Sequence, residues 1–166
     1  MKAISRGLAS GFTLLELMVT LAVLAILVGI AVPSLSDATL ASKLKASAND
    51  LVAGVAMGRS EAIKRNAVTS MCVSSDGSSC GSGGWDQGWI IISGSTVLDK
   101  HPAAPTGFKV SSSVTKIDFQ PTGVGNTQAS ITVCRSAPSA GAQERVVNVS
   151  ATGRAYVSKT ATGSCS

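Results

Sequence analysis

The longest apolar stretch of the chain occupies residues 12–32, where only Thr13, Glu16, Thr20 and Gly29 interrupt with polar or small side chains. As a helix rising 1.5 Å per residue it reaches about 30 Å, enough to cross the hydrocarbon of a bilayer. Beyond Pro33 the pattern changes. Leu40, Leu44, Ala48, Leu51, Val55, Ala62 and Ile63 recur at spacings of three and four, with Lys43, Lys45, Asn49, Asp50, Arg59, Lys64 and Arg65 on the other faces. This predicts an amphipathic helix with one apolar stripe. Asn66 and the β-branched residues after it predict its stop. With a bend allowed at Pro33, the two halves form one helix over 12–66, on the order of 80 Å long.

After Asn66 the pattern shortens to strand-length runs at 68–73, 89–93, 109–110, 116–119, 130–135, 145–150 and 155–157, punctuated by glycines such as Gly77, Gly94, Gly107 and Gly123. Short strands with frequent turns, packed on one helix, predict an α+β fold. Its parts are a long N-terminal helix, hydrophobic then amphipathic, and a small antiparallel β-rich head. The expected segments are a leader at 1–11, a membrane-spanning helix at 12–33, the amphipathic half at 34–66 and the head at 67–166.

The positions ahead of the apolar run define the leader. Lys2 and Arg6 precede it and hold that end in the cytoplasm by the positive-inside tendency. A secretory signal has an apolar core of about 7–15 residues followed by a small-residue cleavage site. Here the run is longer, and Pro33, Ser34 and Ser36 follow without an A-x-A pattern. The small residue that stands out is Gly11, before the run. Cleavage there removes the charges and keeps the apolar segment. Glu16 would then be the fifth residue of the new chain. A carboxylate in a membrane helix costs about 2.5–3.5 kcal/mol at the centre, so it needs a reason to be there. Two are open: a cationic partner, such as the α-amino group of Phe12 on a neighbouring copy, or an interfacial position with access to headgroup water.

Only 14% of residues are charged and 4% aromatic, which implies a thin core in the head. Cys72, Cys80, Cys134 and Cys165 can reinforce it as two disulfides in an oxidising compartment. Three connectivities are possible. Cys72–Cys80 with Cys134–Cys165 is favoured, because the first closes a short Gly/Ser turn and the second ties down the C-terminus. No C-x-x-C spacing occurs, and the single histidine, His101, lies beside Pro102 in an expected loop, so no metal site is expected. Catalysis is not expected either: there is no nucleophile elbow, no Walker loop, no pairing of carboxylates in a catalytic setting, and no cofactor motif.

The run Gly11-Phe12-Thr13-Leu14-Leu15-Glu16-Leu17 resembles the leader junction of type IV prepilins and type II secretion pseudopilins. The resemblance implies cleavage after Gly11 and N-methylation of Phe12 by a prepilin peptidase. It also implies pairing of Glu16 with a neighbouring subunit's terminus and a helix bend at Pro33. The segment Gly58-Arg59-Ser60-Glu61-Ala62-Ile63-Lys64-Arg65-Asn66 resembles the helix end of FimT/FimU-type minor pilins and the related GspH pseudopilins, with Gly58 in place of the usual alanine. Trp85-Asp86-Gln87-Gly88-Trp89 is similar to the W-x-x-G-W run of their heads. The implied function is initiation and assembly of type IV pili by a minor pilin. The implied partners are other major and minor pilins, the prepilin peptidase/methyltransferase and an inner-membrane assembly platform. The implied location is the bacterial inner membrane with the head in the periplasm, and later the filament. A type II secretion pseudopilin is the alternative.

Charge raises a third function. Of the formal +5, Lys2 and Arg6 carry two, so loss of the leader leaves +3. From Lys100 onward seven bases face two acids, Asp118 and Glu144. A solvated basic face accounts for this. Arg135, Arg145, Arg154 and Lys159 are also candidates for a phosphate-contacting DNA surface. Some FimT-type pilins of DNA uptake carry G-R-x-R in the last strand region, whereas this chain has Gly153-Arg154-Ala155-Tyr156 and lacks the second arginine.

Overall fold

The computed structural model of the chain describes residues 11–125, 127–137, 144–161 and 165. The first ten residues of the expected leader and the side chain of Pro33 lie outside the described residues. The chain divides into two compact units, one ending at Leu40 and the other starting at Ala41.

The first unit holds the start of helix α1 (Leu14–Arg65). Thr13 caps it: its Oγ1 accepts the Glu16 amide at 3.2 Å and its carbonyl accepts the Leu17 amide at 3.1 Å. Such a cap satisfies one of the amides that every helix start leaves orphaned. The apolar window of this part of the helix is 0% buried. Leucines, valines and isoleucines point outward on all sides, which is the pattern of a helix whose packing partner is another molecule or a lipid phase.

In the second unit α1 behaves differently. Leu44, Ala48, Leu51, Val55 and Ala62 are all buried on one stripe. Ile63, expected on that stripe, is 51% exposed, because it lies about 100° around the helix from Ala62. The helix ends in a Schellman motif. Asn66 adopts a φ of 49°, the Ala67 amide reaches the Ala62 carbonyl at 3.2 Å, and the Asn66 amide reaches that of Ile63 at 3.3 Å. Asparagine is the residue after glycine that most readily takes this left-handed turn.

Among the described residues eight strands follow, in two four-stranded antiparallel sheets. The first contains β1 (Thr69–Val73), β2 (Trp89–Ser93), β3 (Thr96–His101) and β5 (Lys116–Phe119), ordered β3-β2-β1-β5. The second contains β4 (Phe108–Ser112), β6 (Ala129–Arg135), β7 (Glu144–Val149) and β8 (Ala155–Thr160), ordered β4-β6-β7-β8. β3 is a departure from the sequence pattern, whose strand runs omit it and which places His101 in a loop. It is an edge strand, and Asp99, Lys100 and His101 break the apolar alternation that marks a strand half-buried in a core. His101 is accordingly strand, not loop. Its ring stacks on Trp89 at 4.6 Å, and its Nε2 stands 3.4 Å from Asp50 on α1.

The helix meets the first sheet through two glycines one turn apart. A Cβ on Gly54 would stand 2.5 Å from the Trp89 ring, and one on Gly58 would stand 2.9 Å from Phe119. Any larger residue would hold the helix off the layer of Met71, Ile91 and Ile117. This accounts for glycine where the resemblance expects alanine at position 58. Every residue of β1 is buried, although its side chains alternate between two faces. The face away from the helix carries Ser70, bonded to Asp118 at 2.5 Å, and Cys72, bonded to Cys80. Both tryptophans are buried, and the Trp85 indole N–H donates to the Val114 carbonyl at 2.7 Å.

Candidate functional site

At the N-terminal end, Gly11 and Phe12 precede the helix and are exposed, Phe12 at 78%. Thr13 occupies the N-cap and Glu16 the third helical position, the T-x-x-E spacing of a capping box. The acid therefore stands in the first turn, where the helix dipole favours a negative charge. Glu16 is exposed and has no ion pair among the described residues. Chemically this end presents an accessible backbone at Gly11-Phe12 and, one turn further, a carboxylate on an otherwise apolar rod. The cap is legible in the sequence as Thr13-x-x-Glu16 ahead of an apolar run, though the resemblance to a leader junction draws attention elsewhere.

In the head, all four cysteines are used: Cys72–Cys80 and Cys134–Cys165 form disulfides with Cα separations of 5.5 and 5.6 Å. Within the first loop Asp76 acts as a local anchor. Its carboxylate accepts the amides of Ser78 and Ser79 at 2.8 and 3.0 Å and the hydroxyl of Ser74 at 2.9 Å. Those bonds, led by the two amides, hold its carboxyl far below the usual carboxylate range.

The four expected phosphate contacts do not make one patch. Arg145 is buried, and its guanidinium donates to the Glu144 carbonyl at 3.0 Å. It is therefore a structural residue of β7, which corrects its assignment to a solvent-facing basic surface. Lys159 is exposed and sits opposite Arg145 across the β7–β8 pair. Arg135 is half-buried at the end of β6, opposite Phe108. Arg154 is exposed just before β8, five residues from Lys159 and so about 17 Å away along an extended strand.

The structure instead joins Arg154 to a residue the charge pattern does not single out. Arg59 on α1 reaches across to the turn after β5, where its Nε donates to the Gly123 carbonyl at 2.8 Å. Gly123 and Gly153 have φ of 77° and 70°, so each turn presents bare backbone to the Arg59 side chain. Glu61, two residues on, is half-buried, its side chain 13% exposed. It pairs with Lys64 at 2.6 Å and Arg65 at 2.8 Å, bonds that lower its pKa.

Two family models match the chain. The one described as type II transport protein GspH matches residues 47–153, more than half of the chain, and the prokaryotic N-terminal methylation motif matches residues 7–32. No curated protein sequence matches. Among solved structures, the head resembles the type IV minor pilin FimU of Pseudomonas aeruginosa. One crystal form aligns at 21% identity and a TM-score of 0.57, covering 72% of this chain and 91% of that one. A second aligns at 20% identity and 0.53, covering 69% and 91%. At such identities the likeness is one of fold.

Proposed function

The chain belongs to the type II transport protein GspH family, whose members are filament subunits and not enzymes, and we propose that it is a minor type IV pilin acting in the initiation and assembly of pili. The observation that carries this reading is the combination of an N-terminal methylation motif, a fully exposed apolar helix behind it and a FimU-like fold in the head. A helix apolar on every side has no use in a free soluble subunit. It fits a bilayer first and the core of a helical filament afterwards.

In this reading a prepilin peptidase cuts after Gly11 and methylates the amino group of Phe12. The helix at 12–33 anchors the precursor in the inner membrane, with the head in the periplasm. During assembly Glu16 pairs with the terminal amine of a neighbouring pilin, since a carboxylate moved into an apolar core requires a compensating charge. Pro33 supplies a place where the helix bends as it packs. The Cys72–Cys80 and Cys134–Cys165 bridges suit a head that matures in an oxidising compartment.

The family's own description favours a second reading, a pseudopilin of type II secretion. The two separate by location. Shearing filaments from the cells and probing them for the chain, with deletion of its gene, tests the first: the chain is expected in the pilus fraction and pili are expected to be lost on deletion. Normal piliation combined with loss of protein export would replace it by the second.

A further inference from the structure

Arg59 and Arg154 line one groove of about 390 Å³ between α1 and the start of β8. The rest of its lining is largely apolar, with Val52, Ala56, Ile63 and Ala155. Arg59 is not a floppy surface cation: the Gly123 carbonyl fixes its Nε, and the turns at Gly123 and Gly153 pack against its stem. Among the described residues neither arginine has an acidic partner, and the nearest acid in sequence, Glu61, is taken up by Lys64 and Arg65. The fold thus holds one preorganised guanidinium and one exposed guanidinium at an apolar trough without internal compensation.

We propose that this groove is an interface that receives a carboxylate, flanked by an apolar side chain, from a neighbouring pilin subunit. Guanidinium pairs recognise carboxylates by paired hydrogen bonds, and a fixed one loses little freedom when it does so. The apolar lining sets the second requirement, because a bare anion would leave Val52 and Ile63 wet. A nucleic acid fits less well. It needs a track of exposed cations, whereas Arg145 is buried and Lys159 lies about 17 Å from Arg154. No aromatic side chain is available in the lining for base stacking. The inference rests on the filament reading, and it supplies what that reading demands. A subunit that adds head-to-tail to a helical assembly must carry two different, complementary patches. The groove is the cationic one, and its complement lies on the next subunit.

The test places a photo-crosslinking residue at Ala56, an exposed groove position, in the full-length chain expressed in cells that assemble the filament. The crosslink is expected on another pilin, within two residues of an Asp or Glu. It should fall about tenfold in the Arg59→Gln/Arg154→Gln double variant, as for a charge pair that has lost its partner, and recover partly with Arg154→Lys. Membrane levels and both disulfides should be unchanged in these variants. If the chain is in sheared filaments but the crosslink ignores both arginines, maps to a segment without an acid, maps to nucleic acid or does not form, this interface is wrong and the filament reading stands. If the unaltered chain never enters sheared filaments, the filament reading fails, and this interface with it.

Discussion

Helix α1 carries similar apolar residues in both units, and the two units treat them in opposite ways. Leu14, Leu21 and Ile30 of the first are exposed at 76%, 55% and 70%, while Leu44, Leu51 and Val55 of the second are at 4%, 2% and 1%. The difference is not one of helix propensity. It lies in whether the same chain supplies a surface to cover the side chains. The second unit narrows its apolar residues to a stripe and opens glycines at positions 54 and 58 for Trp89 and Phe119. The first has no such stripe, and its neighbours within 4 Å of a Cβ on Gly29 are none. Each region therefore has its own way of failing.

The largest effect is expected in the exposed unit. Replacing Gly11 with valine should leave the leader attached and reduce filament incorporation to background, checked by mass spectrometry of the N-terminus and by immunoblot of sheared filaments. A mature N-terminus other than methylated Phe12 would break the proposed processing. Glu16→Leu should insert into the membrane at least as well, since it removes a charge from the apolar helix, and should still fail to assemble.

The head should fail by losing stability. Removing the Cys134–Cys165 bridge, which spans 31 residues, is expected to cost about 3–4 kcal/mol in the chain-entropy account, and removing Cys72–Cys80, which spans 8, about 2–3 kcal/mol. Denaturant melts followed by the fluorescence of Trp85 and Trp89 would read this, because both tryptophans lie in the head. Gly54→Ala should lose up to about 2 kcal/mol net: overpacking against Trp89 at about 1–3 kcal/mol is offset in part by a gain of about 1 kcal/mol in helix propensity. Gly29→Ala, with open space around it, should leave the same melt unmoved. Equal effects from the two glycines would remove the contrast between the regions.

The smallest effect concerns acid. The folded pKa of Asp76 is depressed by the amides of Ser78 and Ser79, so its contribution is fully present above the unfolded carboxylate value of about 4. It is lost as pH falls from there through the folded value. Titrating the near-ultraviolet signal of the head downward from neutral pH should show this local loss. Asp76→Asn should flatten that part of the curve without disturbing the Cys72–Cys80 bridge.

The sequence by itself determined the apolar rod, the stripe that follows it, the stop at Asn66 and most of the strands, since these depend on period and on local turn chemistry. The Thr13-x-x-Glu16 cap belongs to the same class, because every participant lies within a few residues. Only the tertiary structure decided the rest. β3 was hidden because an edge strand need not alternate. Charge alone marks Arg145 as a surface base, because it does not reveal burial between strands. Arg59 read as one helix cation among several until the turns at Gly123 and Gly153, 64 and 94 residues away, folded against it. The physical reason is common to all three. Local periodicity records which face of an element is apolar, but which distant backbone comes to meet a given side chain is settled only when sheets and helix pack.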